Sequence, residues 1–232
     1  MTFAEKIIKF NANLELNESL PDNIRVMNPF KENKNALEIS SIFYQKYYND
    51  QQPRQLILGI NPGRFGAGVT GIPFTDTKRL EENCGIKFHG ITTHETSSVF
   101  VYNVIEQYGG AEKFYSRFYI NSISPLGFVK TNAKGKEINF NYYDSKALQE
   151  LVTPFMIESL QTQIAFGIDR SVVYSFGAGK NLKFLQEINT KYKFFKTIVP
   201  LEHPRYIMQY KQKHKNFYIH KYLEAFKGSE MS

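Results

Sequence analysis

Along this chain short apolar runs alternate with amphipathic stretches from one end to the other. Residues 2–11 and 36–49 space their apolar positions three and four apart, most clearly in ALEISSIFYQKYYN, and predict helices. QLILGI at 55–60 is a short continuous apolar run that meets Asn-Pro-Gly, which predicts a buried strand. Residues 95–107 predict a helix, and FYINSIS at 118–124, stopping at a proline, predicts a second strand. Residues 128–143, with Asn132, Gly135 and Asn141, read as a loop or excursion. Asp144 and Ser145 are capping residues ahead of a long helical pattern, ALQELVTPFMIESLQTQIAFG, in which Pro154 favours a kink. SVVYSFG at 171–177 predicts a third strand, GKNLKFLQEIN a helix, and FFKTIVP at 194–200 a fourth strand. A C-terminal helix is expected over 204–227, with Pro204 in its first turn.

Strands that alternate with helices imply an α/β fold. The expectation is a three-layer α/β/α domain around a central, mostly parallel four-stranded sheet. One domain is expected over 1–232, with a helical segment at 1–50, a core at 55–206 and the final helix. In such sheets a ligand sits beyond the C-terminal ends of the strands. Asn61, Asn121 and His203 fall there. No stretch reaches the ~18 apolar residues of a membrane span, and MTFAEKIIKF lacks the apolar core of a signal peptide. A cytoplasmic protein is therefore expected. Cys84 stands alone, which excludes an internal disulfide and a cysteine-held metal or iron–sulfur cluster. No acidic cluster suggests a catalytic metal, and no cofactor is expected.

Charge changes the picture. The chain carries a net +7, yet residues 1–169 hold 17 Lys and Arg against 18 Asp and Glu. Residues 170–232 hold 12 Lys and Arg against 4 Asp and Glu, so the whole excess lies in the last quarter. A phosphate backbone would be met by such a surface, as would plain solvent.

Candidate chemistry concentrates in LILGINPGRFGAGVTGIPFTD at 56–76, with five glycines and two prolines. The phosphate-loop pattern GxxxxGK[ST] is absent, and GRFGAG opens no clear helix, so a nucleotide loop is disfavoured. Pro62 and Pro73 suggest a rigid turn that forms one wall of a pocket.

GINPGRFGAGVTGIPF resembles the first active-site motif of the uracil-DNA glycosylase superfamily, most like a bacterial branch of the single-strand-selective monofunctional uracil-DNA glycosylases. FYINSISPLGF at 118–128 resembles that family's base-reading strand, and LEHPRY at 201–206 its His-Pro motif. The three matches occur in family order across 56–206. The resemblance implies a monofunctional enzyme that hydrolyses the glycosidic bond of uracil in DNA and leaves an abasic site; the lack of an acidic cluster leads to the expectation of activity without metal. By the same resemblance Asn61 places the attacking water, and His203 donates a hydrogen bond to the uracil O2. Phe74 stacks on the flipped base, Asn121 pairs with its edge, and Ile60, Gly63 and Phe65 complete the base pocket. Gly63 stands where enzymes strict for uracil carry a Tyr, which implies room for 5-substituted uracils. Arg64, Lys180, Lys183, Arg205, Tyr206, Lys211, Lys213 and Lys215 are the candidates for contact with DNA, and a monomer is expected.

The motifs also depart from the family. Arg205 and Tyr206 follow His203-Pro204 where Ser-Pro is usual, Ile120 precedes Asn121 in place of His, and Thr75-Asp76 follow Phe74 in place of Gly. These changes bear on strand preference and on substrates such as xanthine. Two other readings stay open: a superfamily fold that binds nucleic acid without catalysis, and an unrelated nucleotide-binding α/β enzyme.

Overall fold

The computed structural model describes residues 1–228; the last four residues of the domain expected over 1–232 lie outside it. Among the described residues seven strands form, β1 (Ile24–Met27), β2 (Arg54–Gly59), β3 (Phe118–Ser122), β4 (Gly127–Thr131), β5 (Glu137–Phe140), β6 (Ile168–Phe176) and β7 (Thr197–Leu201). The helices are α1 (Phe3–Asn13), α2 (Pro29–Glu32), α3 (Lys34–Tyr48), α4 (Ala67–Thr70), α5 (Thr77–Glu82), α6 (Thr96–Tyr108), α7 (Ala111–Tyr115), α8 (Lys146–Ile164), α9 (Lys180–Tyr192), α10 (Pro204–Tyr210) and α11 (Lys215–Gly228).

The central sheet has the order β3-β2-β6-β7, and every pair in it is parallel. All six residues of β2 are buried, as a strand covered on both faces requires. Side chains alternate across the sheet, so Phe118 and Tyr119 enter opposite layers. Tyr119 meets Phe3 of α1 at 5.5 Å, while the Tyr48 hydroxyl of α3 donates to the Phe118 carbonyl. On the other face Phe118 and Tyr174 pack on Phe226 of α11 at 4.7 and 4.9 Å, and Phe100 of α6 meets Tyr222 at 5.1 Å. The aromatic wealth of the sequence is thus spent in two layers, each buried ring contributing about 2–3 kcal/mol. The expected three-layer α/β/α fold with a four-stranded parallel sheet is what forms.

Two expectations change. Residues 128–143 are no loop: β4 and β5 form a hairpin that pairs with β1 in a separate antiparallel sheet, order β1-β4-β5. The turn is made at Asn132–Gly135, with Gly135 at φ 71°. These strands are four or five residues long and partly exposed, so their alternation is too short to read, and pairing with β1 decides them. The C-terminal helix is broken as well. It stops at Tyr210, passes through a short 3-10 turn at Gln212–His214 and restarts at Lys215. The break lets Tyr222 and Phe226 turn back over the sheet while α10 stays at its edge.

The N-terminal segment, which matched no motif, packs α1 on α3 and closes one face of the core. Arg54, at the start of β2, is fully buried beneath the rings of Phe3 and Tyr48. Its guanidinium donates to both carboxylate oxygens of Asp50, at 2.7 and 2.8 Å, and to the carbonyls of Gln52 and Tyr115. That pairing holds the Asp50 carboxyl below its usual range. Asp50→Ala leaves the buried cation unpaired, and should lower stability by about 2 kcal/mol, discounted because Asp50 is 43% exposed. The Asp50 contribution is complete above its unfolded value of 3.8 and fades as pH falls through the lower folded one. Urea melts of both proteins should therefore differ at pH 7, and the difference should shrink as the pH falls below 3.8.

Candidate active site

The C-terminal ends of β2, β3 and β7 open onto one cleft of about 330 Å³, the size of a small-molecule site. Ile60, Asn61, Gly63, Phe74, Ser122, His203, Arg205 and Tyr206 line it. Loop ends are tied to one another: Ile123 and Ser124 donate their N–H groups to the carbonyls of Gly59 and Ile60.

Asn61 is held from the side by the hairpin. Its amide nitrogen donates to the carbonyl of Phe140 at 3.3 Å, and its carbonyl accepts from the N–H of Tyr142 at 3.2 Å. Both ends of the amide are thereby oriented. A carbonyl oxygen has two lone pairs, so one remains for a water or a ligand. Phe74 has φ 54°, a left-handed conformation uncommon for a non-glycine residue. Its ring lies edge-on to Phe176 at 5.4 Å and tilted to His203 at 5.7 Å. A strained residue in a cleft wall marks a place where geometry is held by its surroundings.

His203 is the N-cap of α10, and its Nδ1 accepts the N–H of Arg205 at 3.1 Å. That bond puts the ring proton on Nε2. Burial pushes the imidazole down to about 4, with the Arg205 charge adding to the effect. The ring is neutral at physiological pH and offers one N–H donor.

Other expected residues stand elsewhere. Asn121 does not line the cleft. Its amide nitrogen donates to the Tyr119 hydroxyl at 2.8 Å and to Gln163 Oε1 at 2.7 Å, and its carbonyl accepts from Ser122 N–H. It borders a cavity of about 10 Å³ behind Pro62 and Pro73, and its strand neighbour Ser122 faces the cleft. The reason is the pleat: adjacent residues of β3 point to opposite faces. Phe65 is 55% exposed and outside the cleft, under the Arg64 guanidinium. Arg64 bends back to the Glu137 carbonyl. Lys180 opens α9 with its Nζ 5.6 Å from the ring of Tyr143, a cleft residue, and exposed Lys183 lies one turn on. Lys211, Lys213 and Lys215 gather where α10 hands over to α11, with Lys213 the exposed one.

The cleft also holds residues that the motifs did not indicate. Tyr210 lies one helical turn after Tyr206, their rings 5.6 Å apart, and both are exposed at the mouth. Glu95 lines the wall from the N-cap position of α6, without bonding the first-turn N–H groups. Glutamate is a poor capping residue, and that local misfit in THETSS was the available signal. Its Oε2 stands 2.0 Å from where a Cβ on Gly66 would fall, and its Oε1 3.2 Å from one on Gly63. Gly63 therefore makes room chiefly for Glu95. Burial, aided by the Asp76 carboxylate, pushes Glu95 up to about 7, while Arg205 pulls the other way. Among the described residues no group of three or more His, Cys, Asp or Glu could hold a metal ion, and no helix is long and apolar enough to cross a membrane.

Imidazole nitrogen spectra recorded from pH 3.5 to 8 test the His203 assignment. The ring should titrate near 4, with the proton on Nε2 above that. Since the folded value lies below the ordinary 6.5 of a free imidazole, the stability that His203 permits above 6.5 is lost progressively as pH falls from 6.5 through 4.

Residues 45–227 match the family model of the Uracil DNA glycosylase superfamily. A crystal structure of wild-type SMUG2 from Pedobacter heparinus superposes with a TM-score of 0.98 at 56% sequence identity, covering 100% of both chains. No curated protein matches the chain.

Proposed function

The chain belongs to the Uracil DNA glycosylase superfamily, and from that membership we propose that it hydrolyses the N-glycosidic bond of uracil in DNA and leaves an abasic site for repair. The observation that carries this reading is the meeting of Asn61 and His203 across one cleft, with Phe74 against the imidazole. The reaction splits C1′ of the sugar from a base that departs as an anion. It requires a placed water on one side and a donor on the other. Asn61, oriented through the hairpin main chain, offers a carbonyl lone pair to the water. His203 offers a neutral Nε2–H to the uracil O2, where negative charge accumulates. A neutral donor avoids the desolvation cost of an imidazolium in this place. Phe74 provides the stacking surface.

No step in this scheme calls for a metal ion, so the activity is metal-independent. Base extraction costs a few kcal/mol in a duplex and less in a single strand. Arg205, Tyr206 and the lysines at 180, 183, 211, 213 and 215 offset it by holding the strand. Asn121 supports the cleft from behind through Tyr119 and Gln163 rather than reading the base edge. The space over Gly63 is shared with Glu95 and with Asn139 Nδ2, 3.8 Å away, so uracil is the first substrate. 5-Substituted uracils and xanthine follow only as those side chains yield. The protein acts as a monomer in the cytoplasm.

A single-turnover assay on deoxyuridine oligonucleotides in EDTA, single-stranded and paired with G, tests the scheme. Wild type should give alkali-labile sites. Asn61→Ala and His203→Ala should each slow release by about 10²–10³-fold, the usual loss for one oriented polar group in such a site. No release by wild type on uracil or xanthine, with DNA still bound, would instead favour a binding module. The same DNA measured between 50 and 200 mM salt should lose affinity steeply. Replacing Lys211, Lys213 and Lys215 by Gln should flatten that slope by up to about 3.

A further inference from the structure

Water attack on C1′ releases a proton, and the groups assigned so far cannot take it. The Asn61 amide is no base at neutral pH. His203 is closed on both sides: Nδ1 accepts the Arg205 N–H, and Nε2 already carries a proton. The tyrosine hydroxyls of the cleft wall, in their neutral form, are very weak bases, and the Arg205 guanidinium is a donor only. Glu95 is the only carboxylate among the described residues that line the cleft.

Its position is built from three directions. Asp76 caps α5 by accepting the Arg79 N–H at 2.8 Å, and with its other oxygen accepts the Glu95 N–H at 2.6 Å. The fully buried Asp76 thus fixes the Glu95 backbone. The side chain extends over the loop that follows Asn61, into space that only the absence of side chains on Gly63 and Gly66 leaves open. Arg205, two residues beyond His203, faces it from α10. Glu95 therefore stands between the loop that carries Asn61 and the loop that carries His203.

We propose that Glu95 accepts the proton of the water that Asn61 holds, which makes it the general base of the reaction. The inference rests on the glycosylase reading above. The C1′–N bond breaks with its electron pair leaving on the base, and His203 Nε2–H bonds the developing charge at O2. The water oxygen forms the new bond to C1′, and its proton passes to the Glu95 carboxylate. The departed base takes a proton from solvent, and Glu95 returns its own to solvent.

Glu95 must be ionised to act, and with its carboxyl near 7 the rate should climb through neutrality. The groups that face it are Asp76 from α5, backed by Arg79 at 3.7 Å and His94 at 4.0 Å, Arg205 from α10, Asn139 from β5, and Ser98 on its own helix. Asn139 and Ser98 are neutral. His203 stays neutral above about 4, so it is silent across that range. His94 is the one other nearby histidine and needs its own control.

Single-turnover release of uracil is therefore measured from pH 5.5 to 9 for wild type, Glu95→Gln, Glu95→Asp and His94→Gln. Wild-type and His94→Gln rates should rise about tenfold per pH unit below 7 and level above it. Glu95→Gln should be slower by about 10²-fold at pH 8 and flat with pH, within the usual range for loss of a general base. Glu95→Asp should recover part of the rate together with the slope. Binding of an uncleavable 2′-fluoro deoxyuridine oligonucleotide, and the melting temperature, should be unchanged in Glu95→Gln, which separates chemistry from folding. Glu95→Gln within threefold of wild type, or a wild-type rate that falls through pH 7, would overturn the assignment and leave the glycosylase reading intact. Absence of product from wild type at every pH would overturn both.

Discussion

The side-chain amide of Asn61 is tied to the main chain of a hairpin that belongs to another sheet, and the cleft is organised around that tie. The strand β2 delivers Asn61 to the edge of the parallel sheet. The carbonyl of Phe140 and the N–H of Tyr142 then set which way the amide faces. An amide that turned freely would present its donor and its acceptor to the cleft alternately. With both ends engaged it presents one lone pair in one direction. The small antiparallel sheet therefore orients a group of the large parallel one.

The electrostatics of the cleft follow from the same economy. Buried charges are costly, and the His203 ring in the cleft is a neutral imidazole whose tautomer is chosen by a main-chain N–H. Glu95, the one carboxylate among the described residues of the wall, is held where burial and the Asp76 carboxylate raise its pKa to about 7. Positive charge is kept at the rim and on the last quarter of the chain, where water still screens it and a polyanion could displace the counterions. A neutral donor and a basic margin suit a reaction in which negative charge develops on the leaving group in the transition state.

The glycines of the first loop have a physical reason that composition alone would not suggest. Gly66 and Gly63 sit under the Glu95 carboxylate, one of its oxygens already in the space a Cβ would take. The loop and the start of α6 are thus fitted to each other. Asp76 fastens that fit by capping α5 with one oxygen and holding Glu95 with the other.

The sequence by itself determined the layers and the four parallel strands, because these rest on local patterns, and its resemblance to the family motifs pointed to Asn61, Phe74 and His203. Continuous apolar runs mark doubly covered strands, and the residues that follow such runs fall at the ligand-bearing end of a parallel sheet. Only the tertiary structure decided the rest. The hairpin at β4 and β5 was illegible because its strands are short and form by pairing with β1. The pleat turned Asn121 away from the cleft and Ser122 toward it, a difference of one residue in register. The break after Tyr210 depends on where Tyr222 and Phe226 find the sheet. Glu95 lies outside every motif, and it joins the site because Asp76 and two glycines, distant in the chain, leave it a single place to go.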